Sequence, residues 1–124
     1  MDVNTINVLV LAYLGDTIYE DYIRLYLINK GINNVNELQS SATSYVSAKA
    51  QASFVYKLTD LGFFTEEELS VLKRARNYKS SNHPKNTDIM TYKYATGFEA
   101  VIGYLKLKNN NERIDEIINK ILSF

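Results

Sequence analysis

Residues Val8 to Leu14 form an unbroken apolar run, followed at once by Gly15-Asp16 and then Thr17-Ile18-Tyr19-Glu20. Apolar residues recur at helical spacing beyond it, at Ile23 and Leu27. This reads as one long helix, from about Thr5 to Lys30, stopped by Gly31. Its first half is apolar on every side, which places it in the middle of a domain with other elements wrapped round it. On a helical wheel Asp16 shares a stripe with Leu9, Ala12, Tyr13, Ile23 and Leu27, and its only charged neighbour one turn on is Glu20. A carboxylate there has little water to face, and an unpaired buried carboxylate costs several kcal/mol. The expectation is that the charge is paired, protonated or given a metal. Gly15 adds roughly 1 kcal/mol of helix penalty relative to Ala, so two local rules break at one spot, as happens at functional sites.

The 124-residue chain fits one domain, residues 1–124, with no repeat, linker or low-complexity tract. A second helical region covers about Val35 to Leu61 and stops at Gly62. The Ser- and Thr-rich stretch from Glu37 to Ser44 at its start predicts a break or a short separate helix there. Thr65-Glu66-Glu67-Glu68 is a capping-box sequence. It predicts a third helix ending near Arg76, with Leu69, Leu72 and Ala75 inward. Asn77 to Thr87 reads as a loop, with Ser80-Ser81-Asn82-His83-Pro84 as breakers. Thr87 or Asp88 then caps a helix from about Asp88 to Lys108, which Asn109-Asn110-Asn111 ends. A last amphipathic helix, Glu112 to Leu122, places Ile114, Ile117, Ile118 and Ile121 on one side. No segment reads as a convincing strand, and the fold class is an all-α bundle.

The inventory narrows the chemistry. With no cysteine, thiol nucleophiles, disulfides and Cys-type zinc sites are excluded. That fits a cytoplasmic protein, as does a start, Met1-Asp2-Val3-Asn4, without the basic residues of a secretory signal. The longest apolar run is far short of the ~20 residues that span a bilayer. A Ser-His-Asp site would need the single histidine, His83, and no serine has a strand-turn-helix setting. What remains is a second carboxylate among core-type residues, Glu99 in Gly97-Phe98-Glu99-Ala100-Val101-Ile102-Gly103. Gly97 and Gly103 let another helix approach closely. If Asp16 and Glu99 face each other they repel, and one is protonated. Two arrangements satisfy them: ion pairs with bases such as Arg24 or Lys49, or a divalent cation between them. Hard oxygen ligands with room for water suit Mg²⁺ or Mn²⁺, and water activated by such an ion attacks phosphate esters. Glu20, one turn after Asp16, is a third ligand, an outer group or a partner for a base.

Lysines and arginines number 14 and acids 14, so net charge is zero and the chain is not a generally basic nucleic-acid binder. Distribution matters more. From Lys73 to Lys85 run Lys73, Arg74, Arg76, Lys79, His83 and Lys85 without an acid. From charge alone this is a solvated face or a phosphate-binding one.

Leu11-Ala12-Tyr13-Leu14-Gly15-Asp16-Thr17-Ile18-Tyr19-Glu20 resembles the signature helix of the ribonuclease III endonuclease domain, and Phe98-Glu99-Ala100-Val101-Ile102-Gly103-Tyr104-Leu105 resembles its second acidic motif. The likeness is closer to the short bacterial branch that lacks a separate duplex-RNA-binding domain, the Mini-ribonuclease III branch. Val46-Ser47-Ala48-Lys49-Ala50-Gln51-Ala52, Leu72-Lys73-Arg74-Ala75-Arg76-Asn77 and Pro84-Lys85-Asn86-Thr87-Asp88 carry it. The resemblance implies a homodimeric helical bundle that cuts double-stranded RNA with Mg²⁺, Mn²⁺ being a substitute. Asp16 matches the family's essential aspartate and Glu99 its metal-binding glutamate, with one centre per protomer. It implies products with 5′-phosphate and 3′-hydroxyl ends. The implied substrate is the precursor of 23S ribosomal RNA, with a ribosomal protein of the pre-50S particle as a further partner. Longer family members carry further acids where this chain has Ala12 and Thr96. Without an accessory domain the chain has to grip the duplex itself, and Lys73, Arg74, Arg76, Lys79, Lys85 and Asn86 are the candidate contacts. The competing readings are a non-catalytic duplex-RNA- or ribosome-associated binding module on the same fold and a helical scaffold with structural ion pairs.

Overall fold

The computed structural model describes residues 1–79 and 88–124. Six helices run among them: α1 (Val8–Asn29), α2 (Val35–Val46), α3 (Ala48–Asp60), α4 (Glu66–Asn77), α5 (Ile89–Leu107) and α6 (Asn111–Leu122), preceded by a 3₁₀ turn at Val3–Thr5. The described residues contain no strand, so the all-α expectation holds.

Each helix starts where a short polar side chain replaces a missing intrahelical partner. Asn7, Asn34, Ser47, Thr65, Asp88 and Asn110 all accept a bond from a backbone N–H of the first turn. At Thr65 the box is complete: its hydroxyl accepts from Glu68 N at 3.2 Å, and Glu68 Oε1 accepts from Thr65 N at 2.9 Å. Gly31 and Gly62 follow α1 and α3 with positive φ, and Asn109 does the same after α5.

The centre of the molecule differs from expectation. α5, rather than α1, is the enclosed helix, packed by α1, α3, α4 and α6. Ala95 to Phe98 and Ala100 to Leu105 are all buried. The small residues Ala95, Gly97, Ala100 and Gly103 let helices close in on several sides of α5. α1 buries only one stripe, Val8, Leu11, Ala12, Gly15, Tyr19, Ile23 and Leu27. On its other side Val10 is 55% and Tyr13 83% exposed.

One further expectation is divided and one corrected. Glu37 to Ser44 lies in a short separate helix, α2, as one of its two readings has it, and the break falls after that stretch, at Ser47. The hydroxyls of Thr43 and Ser44 bond back to Gln39 O and Ser41 O of their own helix, which leaves α2 continuous. In α4 the inward stripe is Glu68, Val71, Leu72 and Ala75, while Leu69 is 44% exposed. Glu68 takes the inward place because Arg113 of α6 meets it. Arg113 Nε lies 2.8 Å from Glu68 Oε2 and Nη2 2.9 Å from Oε1, and Nη2 also donates to Phe63 O at 2.6 Å. This buried pair ties α6 to the start of α4.

Candidate active site

α1 and α5 cross with their backbones touching. A Cβ on Gly15 would lie 1.7 Å from Glu99 O, and a Cβ on Gly103 would lie 1.9 Å from Leu11 O. Only hydrogen fits at either position. The glycine that looked like a helix defect in the sequence is the contact that brings Asp16, the next residue, beside Glu99.

Asp16 is not buried as its sequence setting suggests; it is exposed. One residue past Gly15 is ~100° round the helix, enough to leave the buried stripe at the rim of the crossing. Glu99 is the half-buried member of the pair. Its carboxyl is pushed up to about 8, first by burial, then by Asp16 beside it, with Glu20 adding charge repulsion and a bond from Gln51 opposing. The repulsion expected of two facing carboxylates is therefore present. The buried phenol of Tyr19 donates to Tyr45 O at 2.8 Å and packs edge-on against Phe98, with ring centroids 4.8 Å apart. It anchors α1 to α2 and α5 next to the acids.

Among the described residues no Lys or Arg pairs with Asp16 or Glu99. Arg24 pairs instead with Glu20, 3.0 Å away, and Lys49 is exposed. Of the two arrangements open in the sequence, structural ion pairs at Asp16 and Glu99 are not formed among the described residues. Glu20, read as a third ligand, an outer group or a partner for a base, pairs with Arg24. Among the described residues no three acidic or histidine side chains are gathered round one point. The site thus offers two carboxylates. The positions where longer family members carry further acids, Ala12 and Thr96, are 6% and 8% exposed.

Gln51, a residue the sequence marked only as part of a motif, joins this site. It is 3% exposed, on the first turn of α3. Its Nε2 donates to Val46 O at 2.9 Å and reaches Glu99 Oε2 at 3.4 Å. Its Oε1 is buried and accepts nothing, alone among buried side-chain polar atoms of the described residues. Such an atom costs about 1–3 kcal/mol. The signal available in the sequence was a long polar side chain between Ala50 and Ala52 in an otherwise apolar register.

The basic cluster is divided. Lys73, Arg76 and Lys79 are exposed on and after α4. Arg74 is half-buried and donates to Ile6 O, so it ties α4 to the N-terminal turn. Lys73, Arg74 and Asn77 share an open cleft with Asn7, Ser70 and Tyr78. α4 meets α5 at Gly97, where a Cβ would lie 3.0 Å from Leu72 Cδ2, two residues before Glu99. Lys85 and Asn86, like His83, lie outside the described residues.

Residues 9–110 match the Ribonuclease III domain family. The chain belongs to the ribonuclease III family. Within that family it is 50% identical to Mini-ribonuclease 3 of Enterococcus faecalis over 118 residues, 95% of this chain and 89% of that one. It is 41% identical to Mini-ribonuclease 3 of Staphylococcus aureus over 121 residues, 98% and 90% of the two chains. The crystal structure of a Fusobacterium nucleatum protein superposes with a TM-score of 0.85 at 35% identity, covering 95% of this chain and 94% of that one. This ribonuclease III-family chain therefore shares both the helical fold and nearly the full length of the short branch. Among the described residues no helix is long and apolar enough to cross a membrane.

Proposed function

We propose that this chain is a Mg²⁺-dependent endoribonuclease that cuts double-stranded RNA, with Mn²⁺ able to replace Mg²⁺. The observation that carries the reading is the placement of Asp16 beside Glu99 at the glycine crossing, with no basic partner for either among the described residues. A structural protein has no use for two acids held together with no base beside them. Their donor chemistry fits the ion: Mg²⁺ is commonly held by one or two carboxylates, with water and phosphate oxygens completing its shell. The unpartnered Oε1 of Gln51 adds a hard oxygen to the same neighbourhood.

Asp16 and Glu99 would hold the ion. When bound, it lowers the pKa of water and offsets charge on a phosphodiester. The chain's own residues do the rest. The Gly15–Gly103 contact sets the separation of the two acids. Tyr19, Phe98 and Gln51 fix the inner one, and the exposure of Asp16 opens the site to a polyanion. Glu20, shared with Arg24, contributes negative charge near the site. Lys73, Arg76 and Lys79, with Lys85 and Asn86, are proposed to bind the duplex backbone, while Arg74 is largely committed to Ile6.

The exposed Val10 and Tyr13 lie on the helix that carries Asp16, and a second copy of the chain is the proposed cover for that face. A homodimer puts two centres on one duplex, one per strand, with 5′-phosphate and 3′-hydroxyl products. Residues 1–124 would act as one catalytic domain. The name its relatives carry, Mini-ribonuclease 3, supports ribonuclease action; beyond that we assign a cytoplasmic role with the precursor of 23S rRNA as substrate, within a pre-50S particle whose ribosomal protein assists.

The test is cleavage of a labelled RNA duplex with Mg²⁺ and with chelator, by wild type and Glu99→Gln. Metal-dependent cuts in both strands, abolished by the substitution while RNA binding persists, are expected. Equal binding by both proteins without cuts would replace the enzyme with a binding module on the same fold.

A further inference from the structure

Gln51 is a buried amide that touches the last residue of one helix, stands on the first turn of the next, and reaches an acid on a third. Its orientation is determined by its partners. Nε2 donates to Val46 O at 2.9 Å and reaches Glu99 Oε2 at 3.4 Å, and a flipped amide would turn an acceptor toward both oxygens. The anchor is not incidental. Val46 ends α2, and the break at Ser47 aims its carbonyl at a side chain from the following helix. The Ser47 hydroxyl then caps α3 through Ala50 N at 3.1 Å, fixing the turn on which Gln51 stands. The α2–α3 corner therefore works as a bracket for one amide.

That bracket holds Oε1 in a buried place where no protein donor meets it. Leu or Met would fill the same volume without an orphaned acceptor, and folding alone favours them. The amide instead shares the neighbourhood of Glu99, whose carboxylate carries no base among the described residues. Outer partners of a metal ligand fix its orientation and complete the hydration around the ion.

We propose that Gln51 is a positioning residue for the cation site. Its Nε2 orients the Glu99 carboxylate, and its Oε1 is the acceptor for a water that arrives with the cation. The inference rests on the metal-dependent reading above and assigns Gln51 a role in the affinity and placement of the ion rather than in contact with RNA.

The test compares wild type, Gln51→Met and Gln51→Asn. Met keeps length and volume without polar atoms. Asn keeps the amide but is too short to span Val46 O and Glu99 at once. Mn²⁺ binding to the protein without RNA is followed by electron paramagnetic resonance, and melting is followed in chelator. Affinity for Mn²⁺ is expected to fall about 10- to 100-fold in both variants, with melting of Gln51→Met in chelator unchanged or higher. In duplex cleavage at saturating Mg²⁺, kcat should fall while KM for RNA stays put. Mn²⁺ affinity within twofold of wild type in either folded variant overturns the proposal. So does failure of both variants to fold, which would make Gln51 structural. If wild type itself binds no Mn²⁺, the metal-dependent reading falls and this inference with it. Wild-type binding with unaffected variants removes this inference alone.

Discussion

Gly15 stands directly against the main-chain oxygen of Glu99, where a Cβ would be 1.7 Å away. That contact sets how far apart the two acids of the site sit, and a single methyl tests it. Gly15→Ala gains about 1 kcal/mol of helix propensity but drives a carbon into backbone on both Glu99 and Gly103. The expected net loss is about 3 kcal/mol or more, read by urea denaturation. A variant within about 1 kcal/mol of wild type would show that α1 and α5 slide apart freely, and the crossing would lose its role in placing Asp16.

The raised pKa of Glu99 makes the metal-free protein sensitive to pH. Between its ordinary value of 4.5 and about 8, the folded protein holds a proton there that the unfolded chain has released. This contribution to stability is fully present below the ordinary value and is lost as pH rises through that window. Glu99→Gln should flatten the decline, and in chelator at pH above about 8 it should be the more stable protein. Cation binding near neutrality takes the ionised form and expels the proton. The heat of Mn²⁺ binding should then depend on the ionisation enthalpy of the buffer. Buffer-independent heats, or parallel pH profiles for the two proteins, would contradict the paired-acid geometry.

Glu68 and Arg113 test a different part of the molecule. Glu68 is 1% exposed, and two of Arg113's nitrogens meet its two oxygens. Arg113→Met leaves that carboxylate buried without its partner, at an expected cost of about 3–5 kcal/mol. Glu68→Gln should be milder, since the capping oxygen survives. Circular dichroism through a urea gradient measures both. Equal, small losses would mean that water reaches Glu68 and screens it.

The basic residues should separate by role. Replacing Lys73, Arg76 and Lys79 together with Ala should lower the slope of log affinity for duplex RNA against log salt, by close to 1 for each phosphate no longer neutralised. The melting curve should barely move. Arg74→Ala should do the reverse, weakening the fold by about 1.5 kcal/mol through removal of its bond to Ile6 while leaving the salt slope nearly intact. A salt slope that responds to Arg74 alone would place the RNA on the N-terminal turn instead.

Much of this was legible in residue order because it depends on neighbours along the chain. Capping at Thr65 and Asp88, the stops at Gly31 and Gly62, and the isoleucine stripe of α6 all follow from contacts within a turn or two. The pairing of Asp16 with Glu99 was legible only as one of two arrangements, the other being ion pairs with bases such as Arg24 or Lys49, because residue order does not say which side chains meet across helices. The location of the α2–α3 break was not legible: serine in a helix interior and serine at a break look alike until its hydroxyl is seen bonding backward or forward.

By itself, then, the sequence determined most of the helices and their family and singled out the two acids as candidates, since these rest on local chemistry and on the order of motifs. Tertiary structure decided which helix is enclosed, which acid is buried and where the amide of Gln51 goes. Each of these depends on how residues far apart in the chain share one volume. The methyl-sized spaces at Gly15 and Gly103 bring α1 and α5 together, and that crossing leaves Asp16 at the rim and Glu99 beneath it.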